Sequence, residues 1–326
     1  GSIHLCVGTH ALLSDGVEFC NLALVITDEQ HRFGVAQRIA LSEKGQHAHT
    51  LVMSATPIPR TLALMIYGDL DLSVIDQLPA GRKPIKTYKI DSEKRQRAFG
   101  FIRSHLDQGY QAYIVCPLIE TGEVDLGLKP AAEYAKELAD GPFSGYRVGL
   151  LHGKMKAADK EKTMRAFQSG EIQLLVSTTV IEVGVDVPNA VIMMIENAER
   201  FGLSQLHQLR GRVGRGPVQS HCILLSDAKN PETVERLRVL CSTGDGFRIA
   251  EEDLRLRGPG DFFGYRQHGL PELKIADMAS DVSLLKTAQE EAKAILAADP
   301  KLTLPQHQAM KERVTRILLS AGERPN

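Results

Sequence analysis

The sequence predicts an α/β fold built on parallel sheets and followed by a mainly helical C-terminal region. Short apolar runs rich in Val, Ile and Leu alternate with amphipathic stretches, and this strand pattern stops after Ser226. Runs that are apolar throughout are typical of strands buried on both faces, as parallel strands are. Regular alternation of strands and helices favours a parallel sheet with helices on both faces.

Seven apolar runs are predicted strands: Leu22–Thr27, Thr50–Ser54, Ala112–Cys116, Arg147–Leu151, Ile172–Ser177, Val191–Ile195 and Cys222–Leu225. Helices are predicted over Glu93–Gln108, where apolar residues recur at helical spacing, and over Ala157–Gln168, which Ser169-Gly170 ends. A further helix begins at Asn230-Pro231, because this pair offers a capping side chain followed by Pro at the first helical position.

The distribution of turn residues divides the chain into three domains. Pro and Gly cluster between positions 77 and 84, a composition expected of a linker. The second division follows the last predicted strand. The predicted domains are therefore 1–80, 81–226 and 227–326.

Composition narrows the classes of function. The 43% hydrophobic and 24% charged residues are ordinary for a globular protein, and no apolar run reaches the length of a membrane span. Because the first residues also lack a signal-peptide pattern, we expect a cytoplasmic protein with no membrane partner. The formal net charge of −1 removes one indication of nucleic-acid binding. It does not exclude such binding, since a motor enzyme can hold its basic residues in one cleft.

Polar residues follow the first two predicted strands. Asp28 and Glu29 come directly after the first strand, at the edge of a parallel sheet where ligands bind. Asp28 is suited to hold Mg²⁺ through its hydration shell, and Glu29 to orient an attacking water. Ser54 and Thr56, after the second strand, offer hydroxyls that can bond to His31 and link the two strand ends. The alternatives are a solvated acidic turn and a plain strand-to-helix turn.

A Gly-containing segment follows the predicted strand that ends at Ser177. Thr178 and its neighbour offer hydroxyls to the phosphate oxygens of a nucleic-acid strand. Gly184 permits close backbone approach, and Asp186 can accept a hydrogen bond from a ribose hydroxyl. An ordinary loop is the alternative.

The most specific segment is QLRGRVGRG, which starts at Gln208. Arg212 and Arg215 point the same way if Gln205–Val213 is helical. Guanidinium groups match phosphate oxygens, and one acting in trans on a nucleotide stabilises γ-phosphoryl charge in the transition state. Each embedded Gly weakens a helix by about 1 kcal/mol, so a role other than folding favours them. The alternative is a basic helix terminus that binds carbonyl groups.

The chain contains no GxxxxGK[ST] pattern. This pattern forms the backbone cradle for the α- and β-phosphates of a nucleotide. We therefore expect the isolated chain to be inactive as an ATP hydrolase.

Four segments, in this order, resemble the motifs of helicase superfamily 2: DEQH at 28–31, SAT at 54–56, TTVIEVGVDVP at 178–188 and QLRGRVGR at 208–215. The resemblance implies a two-lobed RecA-like motor that uses ATP and Mg²⁺. Residues 1–80 would form the C-terminal part of the first lobe, and residues 81–226 the second. It also implies that Gln208 contacts the nucleotide. The stretch Val7–Leu12 resembles motif Ib, which places Thr9 and His10 against the DNA backbone.

The C-terminal region resembles a translocation motif shared by the RecG and Mfd families. The similar stretches are Phe247–Ala250 and Arg257–Gly269, and RGPGDFFG is more like the RecG family. The resemblance implies that Arg257, Arg266 and Gln267 lie in a loop that transmits lobe closure to DNA.

The function implied by these resemblances is ATP-driven translocation on double-stranded DNA, remodelling stalled replication forks and Holliday junctions. Branched DNA and single-stranded DNA-binding protein are the implied partners, and a monomer in the bacterial cytosol is expected. Two alternatives stay open. One is an Mfd-like translocase that couples transcription to repair, and the other is a non-catalytic fragment that binds DNA or protein.

Overall fold

The computed structural model describes residues 2–14, 16–29, 44, 48–54, 71, 73–75, 77, 79, 81–117, 131–178, 186–262 and 282–320. Internal contacts divide the chain into two compact units, Gly1–Pro57 and Ile58–Asn326. Both units contain parallel sheets, and the larger one alternates strands with helices. The predicted α/β class is therefore confirmed.

The smaller unit holds a two-stranded sheet. Strand β1 (Leu24–Thr27) pairs in parallel with β2 (His49–Val52), and a short 3-10 helix, His10–Leu13, precedes them. The pairing continues past the strand ends, because the Met53 amide donates to the Thr27 carbonyl at 2.8 Å. The residues that follow β1 and β2 thus leave the sheet at the same edge.

The larger unit holds a six-stranded sheet in which every pairing is parallel. Its spatial order is β3-β8-β7-β4-β6-β5. The strands are β3 (Lys86–Ile90), β4 (Gln111–Val115), β5 (Val148–Leu151), β6 (Leu174–Ser177), β7 (Ala190–Ile195) and β8 (His221–Leu225).

Eight α-helices lie within the described residues. They are α1 (Arg95–Leu106), α2 (Ala131–Asp140), α3 (Ala157–Gln168), α4 (Leu203–Arg210), α5 (Pro231–Ser242), α6 (Gly246–Phe262), α7 (Val282–Ala298) and α8 (Gln308–Ser320). The predicted helix over Ala157–Gln168 is confirmed at both ends. So is the start of α5, where the Asn230 side chain accepts a hydrogen bond from the Glu232 amide at 2.9 Å.

The core consists of two apolar layers on opposite faces of the larger sheet. Strands β4 and β7 are buried at every position, so their alternate residues supply both layers. One layer, with Ile114 of β4, packs against α1 and α2. The other, with Tyr113 of β4, packs against α3, α4 and α5. The second layer joins the sheet to the helices that carry the arginine-rich segment.

Strand β3 is the one strand of the larger sheet without a sequence prediction. Its residues Lys86, Tyr88 and Lys89 are exposed, because β3 is an edge strand that, among the described strands, pairs with β8 alone. Lysine on an edge strand discourages pairing with other chains. Because of these polar residues, β3 is not an apolar run and its sequence does not predict a buried strand.

The domain bounds at 80 and 226 stay predictions. Contacts place the division between the two compact units after Pro57. Of the helices in the part of the chain that the structure describes, none is long and apolar enough to cross a bilayer.

Candidate nucleotide and nucleic-acid site

The acidic pair Asp28-Glu29 lies directly after β1, as the sequence predicts. Asp28 is exposed, and its Oδ1 accepts a hydrogen bond from the Glu29 amide at 2.9 Å. Glu29 has φ 53°, in the left-handed region, so the chain turns sharply here. An exposed carboxylate held by a backbone amide is a suitable oxygen donor to the hydration shell of Mg²⁺.

Two other predicted residues of the smaller unit are exposed. Ser54 follows β2 at the edge where Asp28 follows β1. Thr9 precedes the short helix that begins at His10, and its carbonyl accepts from the Leu12 amide at 3.0 Å. The predicted partners His31 and Thr56 lie outside the described residues, so the proposed link between the strand ends stays a prediction.

Thr178 follows β6 and is only 4% exposed. Its amide donates to the Leu151 carbonyl at 3.1 Å, and the Ser177 hydroxyl donates to the Thr178 carbonyl at 2.7 Å. These bonds fix the ends of β5 and β6 side by side. The Thr178 hydroxyl is buried and has no hydrogen-bond partner among the residues that the structure describes. Gly184 lies outside those residues.

Arg212 and Arg215 belong to a turn that we call the arginine turn, residues 211–215. The condition that Gln205–Val213 is helical is not met, because α4 ends at Arg210 with Gly211 as its C-cap. The chain then turns at Gly214. This glycine has φ 79°, and a Cβ there would lie 2.8 Å from Cγ1 of Ile85. The two arginines therefore project from a turn rather than from one helical face.

The structure brings Arg215 together with Asp186, as the two predicted nucleotide contacts require. A guanidinium nitrogen of Arg215 lies 3.5 Å from Oδ1 of Asp186, with side chains 28% and 55% exposed. The Asp186 carbonyl also accepts from Gln168 at the end of α3, at 3.4 Å. Arg215 Nε donates to the Gly211 carbonyl at 3.4 Å. This ion pair is partly solvated and loosely held.

The charges of Arg212, Arg215 and Asp186 all affect the buried hydroxyl of Tyr113. Burial in the sheet raises the pKa of Tyr113 far above its usual value. The charges of Arg212 and Arg215 act to lower this pKa, and the charge of Asp186 acts to raise it. All three side chains are therefore close enough to Tyr113 for their charges to affect its pKa.

Arg210 has a role that the sequence did not reveal. Its side chain is buried, and one terminal nitrogen donates to the carbonyls of Leu240 and Thr243, both at 2.8 Å. The alternative interpretation of this segment, a basic group that binds carbonyls near a helix end, therefore applies to Arg210. Gln208 is half-buried on the same helix.

The predicted coupling loop begins later than expected. The backbone of Arg257 lies within α6, which continues to Phe262, so the placement of Arg257 in a loop is wrong. Arg266 and Gln267 lie outside the described residues, and their coupling roles stay predictions. Among the described residues, no group of three or more His, Cys, Asp or Glu side chains is placed to hold a metal ion.

Two family models match the chain. The helicase conserved C-terminal domain matches residues 93–217, and the C-terminal part of domain 3 of the ATP-dependent DNA helicase RecG matches residues 243–319. The first match includes the arginine turn and Asp186. The second includes all of α6.

The chain is also similar to complete RecG proteins. It is 51% identical over 324 residues to the ATP-dependent DNA helicase RecG of Bacillus subtilis, covering 99% of this chain and 47% of that protein. It is 50% identical over 295 residues to RecG of Thermotoga maritima, covering 90% of this chain and 38% of that protein. A solved structure of RecG bound to a three-way DNA junction superposes with a TM-score of 0.65 at 47% identity, covering 86% of this chain and 36% of that one.

The chain thus spans less than half of the length of these relatives. Its similarity to them extends over nearly all of its own residues, through both compact units. The chain belongs to the RecG family of helicases.

Proposed function

We propose that this chain supplies part of the first motor lobe, the second lobe and the coupling region of an ATP-dependent DNA helicase. The complete protein translocates on double-stranded DNA and remodels stalled replication forks and Holliday junctions. Identity of about one half to RecG helicases, one of them solved with a three-way DNA junction, supports this proposal.

The observation that carries the proposal is the ion pair between Arg215 and Asp186. An exposed pair at 3.5 Å is worth about 0–1 kcal/mol, so an incoming phosphate can displace the carboxylate at little cost. Arg215 is then available for the γ-phosphate, and Asp186 for a ribose hydroxyl. One exchange of partners accounts for both predicted roles.

The remaining nucleotide contacts follow from position and chemistry. Asp28 holds the hydration shell of Mg²⁺, and Glu29 orients the water that attacks the γ-phosphorus. Bound Mg²⁺ neutralises phosphate charge during the reaction. Arg212 stabilises charge on the transferring phosphoryl group, while Gln208 and Gly184 contact the nucleotide.

The DNA contacts are proposed along the strand ends. The exposed Thr9, with His10 beside it, faces the phosphate backbone. The buried Thr178 hydroxyl lacks a partner among the described residues, and a DNA phosphate oxygen would supply one. Arg257 and the loop that carries Arg266 and Gln267 transmit lobe closure to the DNA.

The test uses the complete helicase, meaning this chain together with the remaining part of a RecG protein. We expect ATP hydrolysis that a three-way DNA junction stimulates, and ATP-dependent separation of the junction strands. Folded protein without junction-stimulated hydrolysis would contradict the proposal. We expect the 326-residue chain alone to hydrolyse no ATP, because its sequence offers no cradle for the phosphates. Turnover of about 1 s⁻¹ or more by the chain alone would sink this expectation.

A further inference from the structure

A buried guanidinium joins the end of α4 to the junction between α5 and α6. Arg210 is 4% exposed, and its first terminal nitrogen donates to the Leu240 and Thr243 carbonyls, both at 2.8 Å. Leu240 lies in the last turn of α5, where carbonyls have no partner within the helix, and Thr243 follows that helix. Arg210 thus caps α5 from a neighbouring helix.

The second terminal nitrogen of Arg210 lies 2.9 Å from Nδ1 of His207. A guanidinium group only donates, so Nδ1 accepts and the ring carries its proton on Nε2. Burial, and then the charge of Arg210, lower the pKa of His207 to about 4. The imidazole is therefore neutral near pH 7, and this hydrogen bond persists there. We call the bonds from Arg210 to His207, Leu240 and Thr243 the Arg210 tie.

A second polar contact joins α4 to α6 near the start of α4. The Ser204 hydroxyl donates to Oδ2 of Asp253, a buried carboxylate on α6, at 3.5 Å. Between the two ends, Leu206 of α4, Leu237 of α5 and Ile249 of α6 belong to one apolar layer. Because polar contacts fix both ends and apolar packing fills the middle, α4, α5 and α6 are expected to move together.

The position of Arg210 gives this connection a function. Arg212 lies two residues further along the chain, in the arginine turn, and α6 leads into the segment proposed to couple to DNA. We propose that Arg210 is a positioning residue, not a nucleotide ligand, and that it passes displacement of the arginine turn on nucleotide binding to α6. This role rests on the proposed function. A positioning role also explains why Arg210 is buried while Arg212 and Arg215, in the same segment, are partly exposed.

The test is Arg210→Lys in the complete helicase. Lysine keeps the charge and has three N–H donors, but all three are on one nitrogen, so it cannot occupy both terminal nitrogen positions of the Arg210 fork at once. We expect strand separation per ATP hydrolysed to fall by about tenfold, with the hydrolysis rate and the KM for ATP within about twofold of wild type. Arg238→Lys is the matched control, because Arg238 lies on α5 with its side chain 77% exposed. It should keep the wild-type ratio.

Equal fractional losses of hydrolysis and strand separation, or a raised KM, would overturn the proposal and make Arg210 part of the nucleotide site. If Arg210→Lys does not fold, the pair His207→Gln and His207→Ala decides. Glutamine retains an acceptor for Arg210 and alanine does not. Strand separation per ATP hydrolysed should therefore be higher in His207→Gln than in His207→Ala. Equal ratios in the two His207 variants would overturn the tie. Absence of junction unwinding by folded wild-type protein would overturn the proposed function itself, and this role with it.

Discussion

Arg95 and Arg215 each face a carboxylate in the larger unit, but the two pairs differ in distance, burial and further partners. Arg95 lies 2.9 Å from Glu196, whose side chain is 5% exposed, and the Tyr134 hydroxyl donates to the other Glu196 oxygen at 2.5 Å. Arg215 lies 3.5 Å from Asp186, whose side chain is 55% exposed. The same two chemical groups therefore form a fixed structural connection at one place and an exchangeable contact at the other.

The difference teaches what burial does to an ion pair. Burial raises the pKa of Glu196, although the hydrogen bond from Tyr134 and the charge of Arg95 act to lower it. A buried carboxylate depends on its partners, because losing one leaves an uncompensated charge. An exposed carboxylate such as Asp186 exchanges partners with water or phosphate at little cost.

The largest expected effect is on turnover, at the exposed pair. In the complete helicase, Arg215→Ala should lower the rate of ATP hydrolysis by about 10³-fold, because an arginine finger acts on charge that develops in the transition state. The KM for ATP should change little. Steady-state phosphate release with junction DNA measures both, and Arg238→Ala is the control. A change confined to KM would make Arg215 a ground-state ligand.

A smaller effect, on stability, is expected at the buried pair. Arg95→Ala should lower the free energy of unfolding of the complete helicase by about 2 kcal/mol, less than for a fully buried pair because Arg95 is 34% exposed. Chemical denaturation measures this loss. The control Arg165→Ala removes a pair whose side chains are 74% and 62% exposed, and should cost under about 1 kcal/mol.

The loss in Arg95→Ala should also grow as the pH rises above 4.5, the ordinary pKa of a Glu carboxyl. A carboxylate whose folded pKa is raised contributes stability that is lost as pH rises through that pKa. Removing Arg95 raises the pKa of Glu196 further, so this loss of stability extends to higher pH in the variant than in the wild type. A loss independent of pH would show that the missing packing of Arg95, rather than its charge, is responsible.

The hydrogen bond between Arg210 and His207 is expected to make the free energy of unfolding depend on pH in the acid range. The folded pKa of His207 is about 4, below its ordinary value of 6.5. Its contribution to stability is therefore complete above pH 6.5 and is lost as pH falls towards 4. His207→Gln should flatten the stability profile in this window. Denaturation curves at pH 7, 6 and 5 test this, and parallel profiles for the two proteins would contradict it.

The smallest effect is expected from Asp186→Ala. Because its ion pair is exposed, the free energy of unfolding should change by less than about 1 kcal/mol. The KM for ATP should rise if Asp186 accepts a ribose hydroxyl. Unfolding experiments and ATP titrations on one preparation separate the two effects. A destabilisation as large as that of Arg95→Ala would remove the contrast between the pairs.

The contrast also explains what the sequence could and could not predict. Strands β4 and β7 were predictable because burial on both faces requires apolar residues throughout. Glu196 follows β7 just as Asp28 follows β1, and a carboxylate after a strand looks the same in both places. Burial separates them, since Glu196 is 3% exposed and Asp28 is exposed. That property depends on Arg95 and Tyr134, which come from distant parts of the chain.

The arginine-rich segment had a similar limit. Its pattern predicted a nucleotide site, and Arg215 lies beside Asp186 in the structure. The close approach of Gly214 to Ile85, where a Cβ would lie 2.8 Å from Cγ1, is not specified by any local pattern. The burial of Arg210 depended on the carbonyl groups at the end of α5. Both features are tertiary, so neighbouring residues do not encode them.

The order of strands in the larger sheet has a consequence for synthesis on the ribosome. Among the described strands of this sheet, β3 is made first, yet its one neighbour there is β8, which is made last. At about 5–20 residues per second, β3 emerges on the order of 10 s before its partner exists. During this delay its backbone N–H and C=O groups are open to pairing with other nascent chains. We expect the lysines of β3 to limit this pairing before folding is complete.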